Sequence, residues 1–117
     1  MNAPRTMFEK IWDRHVIMKR GENEALLSID RNFAHEANFH AFGALAREGR
    51  KVRKPLQTIA VTDRYAPTIN RELGMAAVTD PEMRNMIELL EQATKLHGIR
   101  HFGMNDARQG IVHVIGP

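Results

Sequence analysis

The chain has 117 residues, with 17 Lys and Arg against 14 Asp and Glu, 43% hydrophobic residues and no Cys. That length suits one small soluble domain or a piece of a larger one, and its apolar runs fall far short of the roughly 20 residues a bilayer span needs. Without cysteine the chain supplies no nucleophilic thiol, disulfide, Cys-based zinc site or thiolate ligand for an iron–sulfur cluster.

Charges at Arg5, Glu9, Lys10, Asp13 and Arg14 interrupt the first amphipathic stretch, so it lacks the apolar core of a secretory signal. The cytoplasm is the expected compartment. The net charge of +3 is too mild to argue for nucleic-acid binding. The one dense basic run, Arg47 to Lys54, holds no aromatic residue on which a base could stack, and it reads as a solvated turn.

Thr6-Met7-Phe8-Glu9 has the form of a capping box and predicts a helix start. Phe8, Ile11, Trp12 and His15 continue it on one face, with Trp12 packing and His15 at the polar end of a buried stripe. Gly21 breaks the pattern. Ala25 to Ile29 reads as a buried strand that opens at its carboxyl end into the loop Asp30-Arg31-Asn32. Asn38 is placed to cap a second helix carrying Phe42, Leu45 and Ala46, with Gly49 supplying a left-handed terminator.

Gln57 to Thr62 is apolar and β-branched and reads as a second strand, ending in Asp63. Residues 69–78 carry no clear signal. Pro81 to His97 is the strongest helical pattern, with Thr79 and Glu82 as a capping box, an apolar stripe through Met83, Met86, Ile87 and Leu90, and Gly98 as its end. His97 and His101 have no ligand spacing and read as surface histidines. Ile99 to Phe102 predicts a third strand and Ile111 to Ile115 a fourth.

This alternation predicts an α/β fold with a mainly parallel sheet flanked by helices. Ligands in such sheets sit beyond the carboxyl ends of strands, so Asp30 and Asp63 are expected on one rim, with His113 near it. A central-looking strand at 111–115 with no crossover after it suggests a truncated domain, exposed apolar surface around Ile111, Val112, Val114 and Ile115, and self-association or a partner.

At the level of whole motifs, the chain resembles the N-terminal segment of the large subunit of 3-isopropylmalate dehydratase, in the aconitase superfamily. The matching stretches are Pro4 to Val16, Leu26 to Arg31, His35-Glu36, Gly49 to Arg53, Asp63 with Pro67-Thr68, Gly98 to Arg100, and Asp106 to Pro117. The resemblance implies that residues 1–117 are one partial, incomplete N-terminal part of an aconitase-like domain. It implies a hydro-lyase that isomerises 2- and 3-isopropylmalate by dehydration and rehydration in leucine biosynthesis, with a four-iron four-sulfur cluster as Lewis acid.

The cluster ligands and the catalytic serine belong to later parts of the family pattern, so no cofactor or metal is expected on this chain alone. The implied partners are the remainder of the large subunit, a small subunit and a small hydroxy-acid substrate, with no membrane. From this segment the resemblance assigns catalytic parts to Asp63 and His113, and substrate contacts to Asp30, His35 and Glu36.

Two departures weigh against turnover by the chain alone. The family pattern after Asp63 is His-Asn-Val-Pro-Thr, whereas Arg64-Tyr65-Ala66-Pro67-Thr68 stands here, and a guanidinium that stays protonated near neutral pH cannot shuttle a proton as imidazole does. After His35-Glu36 the family's Val-Thr-Ser-Pro-Gln is replaced by the shorter Ala37-Asn38-Phe39-His40, which removes two hydroxyls. The competing reading is a diverged, non-catalytic remnant that serves only in interaction or assembly.

Overall fold

The computed structural model describes residues 3–117 and divides the chain into two compact units, one ending at Asp30 and the other spanning Arg31–Pro117. Each is built from local signals and is described by itself.

In the first unit, Thr6 starts helix α1 (Met7–His15) as the sequence predicts. The Glu9 N–H donates to the Thr6 hydroxyl (3.2 Å) and the Glu9 carboxylate accepts from the Thr6 N–H (2.7 Å), which satisfies two amides that the helix leaves unpaired. Arg5 pairs with Asp13 along the same helix. The expected buried stripe is absent: α1 has no buried residue, and Phe8, stacked on Trp12 with ring centroids 5.7 Å apart, is 69% exposed.

After α1 the chain runs into strand β1 (Val16–Lys19), turns at Gly21, whose φ of 75° favours glycine, and returns as β2 (Ala25–Leu27). The two pair antiparallel, Val16 opposite Leu27 and Lys19 opposite Ala25. The run at 25–29 is therefore not a strand of the parallel sheet. Pairing with a neighbour a few residues away costs little loop-closure entropy, and the apolar composition that suggested burial is spent on a hairpin whose Leu26 is 55% exposed.

The second unit holds a three-stranded parallel sheet in the order β3 (Asn32–Ala34), β4 (Thr58–Val61), β5 (Arg100–Phe102). Helix α2 (Phe39–Arg47) connects β3 to β4, and helix α3 (Pro81–His97) connects β4 to β5. The predicted α/β fold with a parallel sheet flanked by helices is what the structure shows. Two right-handed crossovers stepping the same way along a sheet put both helices on one face. There Phe42 and Leu90 pack with Ala34, Ala60 and Ile99.

Side chains alternate across the pleat, so Ile59 and Val61 of β4 face the other way, with Phe102, against Phe33, Val112 and Ile115. All four residues of β4 are buried, as a central strand requires.

Three local readings change. Asn32 to Ala34, which reads as loop beside Asp30, is the edge strand; one polar residue at an exposed edge does not prevent pairing. The cap of α3 is Asp80 and not Thr79: its Oδ1 accepts from the amides of Glu82 (2.8 Å) and Met83 (3.1 Å), with Pro81 in the first turn where a missing N–H costs nothing.

The expected fourth strand is a short helix, α4 (Val112–Ile115). Val112 and Ile115, three apart, fall on its sheet-facing side, while Val114 is 69% exposed. The terminators Gly49 and Gly98 are left-handed as expected, at φ of 64° and 69°.

The basic run is an exposed turn, with Arg50 paired to Glu48 at 3.3 Å, except that Val52 packs against the core. No helix among the described residues is long and apolar enough to cross a membrane.

Because Asp80 rather than Thr79 carries the cap, Asp80→Ala should lower stability to urea by about 1 kcal/mol, while Thr79→Ala should leave it within about 0.5 kcal/mol. Equal losses for the two variants would return the cap to Thr79.

Candidate functional site

The carboxyl ends of β3, β4 and β5 lead directly into His35-Glu36, Thr62-Asp63 and Gly103-Met104. Parallel register sets the first two side by side: Ala34, the last residue of β3, is opposite Ala60, two residues before Thr62. His35 ends the strand in extended backbone and turns it. Its Nδ1 accepts from the Ala37 N–H (3.2 Å) and its own N–H donates to Asn38 Oδ1 (2.8 Å). Asn38, expected to cap α2, thus faces backward and closes the 3₁₀ turn Glu36–Asn38.

That turn drives Glu36 inward. It is only 1% exposed, and its Oε1 accepts from the backbone amides of Asp63 (2.9 Å) and Tyr65 (3.2 Å). Oε2 is buried and accepts no hydrogen bond among the described residues. The nearest cation candidate is His35 Nδ1 at 3.9 Å, whose lone pair already faces Ala37. Asp63, half-buried, turns its carboxylate toward the start of α4, where Oδ2 accepts from the Val112 N–H at 2.8 Å. Ile111 has no side chain that can cap α4, so a carboxylate from another strand end does so.

His113 follows as an exposed residue of α4, and Arg64 is exposed beside Asp63. The structure therefore gathers His35, Glu36, Asp63 and the segment carrying His113 at one end of the sheet. Asp30 is placed by other elements: it ends the amino-terminal unit, precedes β3 instead of following a strand of the parallel sheet, and pairs with His15 at 3.2 Å. The reason for expecting it on the rim, a strand of the parallel sheet ending just before it, does not hold, because 25–27 belongs to a hairpin.

Further residues shape this rim without having been singled out. Thr62 is fully buried and hydrogen-bonded through its hydroxyl to His101 Nε2 (3.1 Å). The Thr62 carbonyl accepts from Gln109 Nε2 (2.5 Å), and Gln109 Oε1 accepts from Arg71 (2.6 Å). Arg108 lies over the Phe102 ring at 4.4 Å and forks onto Asp106, whose carboxyl its hydrogen bonds hold down at about 2.

His97, read as a surface residue, is buried, stacked on Phe42, and accepts the Val52 N–H at Nδ1 (3.1 Å). His101 is half-buried. His97 is the last residue of α3 and His101 sits in a three-residue strand, and neither a helix end nor so short an alternation separates these histidines from surface ones.

A model of the aconitase family (aconitate hydratase) matches residues 9–117. The chain belongs to the aconitase family. No solved structure matches it. The match spans both units and every residue of the rim, and it ties the chain to the family's hydro-lyases. The iron–sulfur cluster that the dehydratase resemblance implies does not fit the residues present. The chain has no Cys, and among the described residues no group of three or more His, Cys, Asp or Glu could hold a metal ion.

Burial pushes the His101 imidazole below its ordinary value of 6.5, outweighing the nearby carboxylates of Glu91, Glu36 and Asp106. Between the lowered native value and 6.5 the unfolded chain binds more protons, so stability should fall as pH drops through that window and be unaffected above it. Urea unfolding from pH 7.5 to 5 should show a shallower acid-side loss for His101→Gln than for the wild type. Parallel curves would place the titration elsewhere.

Proposed function

We propose that this chain is the N-terminal, rim-forming part of a hydro-lyase of the 3-isopropylmalate dehydratase type, and that it does not turn over by itself. The observation that carries this reading is the meeting of two strand ends and helix α4 at Asp63, whose amide is held by Glu36 and whose carboxylate is held against the segment of His113. Removal of water from a hydroxy acid needs acid–base groups fixed at one place, and a carboxylate with its backbone clamped on one side and its oxygen engaged on the other is fixed in that sense.

In this reading Asp63 and His113 handle protons and His35 faces substrate at the edge of the pocket. The remainder of a large subunit, with its cluster ligands and serine, and a small subunit would complete the site. The substrate would be isopropylmalate in leucine biosynthesis or a related hydroxy acid.

Arg64 bears on the proton relay separately from the missing cluster ligands. The 117 residues given iron and sulfide under reducing conditions should neither hold a cluster nor hydrate isopropylmaleate, and Arg64→His should not change that. Fused to the cluster-bearing remainder of a dehydratase large subunit and assayed with the small subunit, the chain should be slow, and Arg64→His should raise kcat by roughly 10²-fold. Equal rates for the two fusions would reject position 64 as the general acid, and iron-dependent turnover by the unfused chain would reject the reading as a whole.

A further inference from the structure

We propose that Glu36 is a positioning residue: its buried carboxylate takes the place of a missing strand carbonyl and thereby aims Asp63, rather than touching substrate. This deepens the reading of Asp63 given above and rests on it for its functional meaning.

Along a strand, successive N–H groups point to opposite neighbours. The Thr62 N–H donates to the Phe102 carbonyl, on the β5 side (3.1 Å). The next amide, Asp63, therefore points to the β3 side, and the Tyr65 N–H, in the turn that follows, meets the same oxygen there. On that side β3 ends at Ala34 and the chain bends into the 3₁₀ turn, so no backbone carbonyl continues the ladder. Two buried or half-buried donors would be left there at a cost of about 1–3 kcal/mol each. Glu36 Oε1 meets both.

The carboxylate reaches this point because Glu36 opens the turn just after β3, whose last residue Ala34 is paired with Ala60, and its side chain spans the gap to the amides that follow Thr62. Aspartate would be one methylene short. Glutamine would keep the oxygen but lose the charge, and with it part of the strength of both bonds.

The effect reaches beyond the turn. With its amide fixed, Asp63 presents Oδ2 to the Val112 N–H, and that bond starts the helix carrying His113. Glu36, Asp63 and Val112 thus form a series of two carboxylates and three amides that links the ends of β3 and β4 to α4. With Oε1 committed in this way, Oε2 buried and the residue only 1% exposed, the carboxylate is enclosed by the fold.

The test needs only the intact 117-residue chain, labelled with carbon-13 and nitrogen-15. Scalar couplings across hydrogen bonds should connect the amide nitrogens of Asp63 and Tyr65 to the Glu36 carboxyl carbon, and that of Val112 to the Asp63 carboxyl carbon. In Glu36→Ala, amide exchange at Asp63 and Tyr65 should speed up by roughly tenfold or more, and Val112 should follow although it does not touch residue 36. Ala60 and His101, within the ladder, should keep their protection, which a general loss of stability would not allow. Glu36→Gln should recover part of the protection.

Absent couplings in the wild type, wild-type exchange at Val112 in Glu36→Ala, or a Gln variant no better than the Ala variant would each overturn the proposal. If Glu36→Ala does not fold, the wild-type couplings and the Gln variant still decide. None of these readouts depends on turnover, so failure of the dehydratase reading would leave them unchanged, and their failure would leave that reading to the fusion assay.

Discussion

A carboxylate removed from water and bonded to two backbone amides is the constraint on which the carboxyl rim of this molecule depends. Burying a charge is unfavourable unless donors replace the lost hydration, and Glu36 finds them only in a turn that belongs to a different strand. The consequence runs through the rim. The turn after β4 has one geometry, the Asp63 carboxylate has one direction, and the short helix α4 has a cap that its own sequence does not provide. Thr62, pinned through its hydroxyl by His101 and through its carbonyl by Gln109, secures the same strand end from the β5 side.

The two faces of the sheet are served differently. One is covered by the crossover helices α2 and α3, whose apolar stripes meet the small residues Ala34 and Ala60. The other is met by Val112 and Ile115 of α4 and by Phe33. The rim and the second layer are therefore coupled, since Asp63 holds in place a helix whose residues pack on Ile59, Val61 and Phe102. The rim and the core packing share a hydrogen bond at this point, from the Val112 amide to Asp63.

Elements whose signals are complete within a few residues were legible in the sequence: the capping box at Thr6 and Glu9, the stripe of α3 with Gly98 after it, and the β-branched run of β4. Errors fell where composition does not say which partner a segment will find. Ala25 to Leu27 is as apolar as a central strand but pairs with Val16 to Lys19, and Asn32 to Ala34 is too short and too polar to announce itself. Ile111 to Ile115 is rich in β-branched residues, yet the cap from Asp63 and the spacing of Val112 and Ile115 make it helical.

For the site, the resemblance pointed to Glu36, Asp63 and His113 as neighbours of one pocket, and the first two do meet. What no pattern could convey is that they meet through main-chain amides, because backbone donors leave no mark in a sequence. The same holds for Thr62, His101 and Gln109, whose bonds span 39 and 47 positions.

A grip on main-chain amides is indifferent to the side chains of the residues it holds. Every residue except proline offers the same N–H at positions 63 and 65. The grip on this turn therefore asks nothing of the side chains of Arg64, Tyr65 and Ala66. At position 65 it is the arrival of a proline, with no N–H to give, that would remove one of the two bonds.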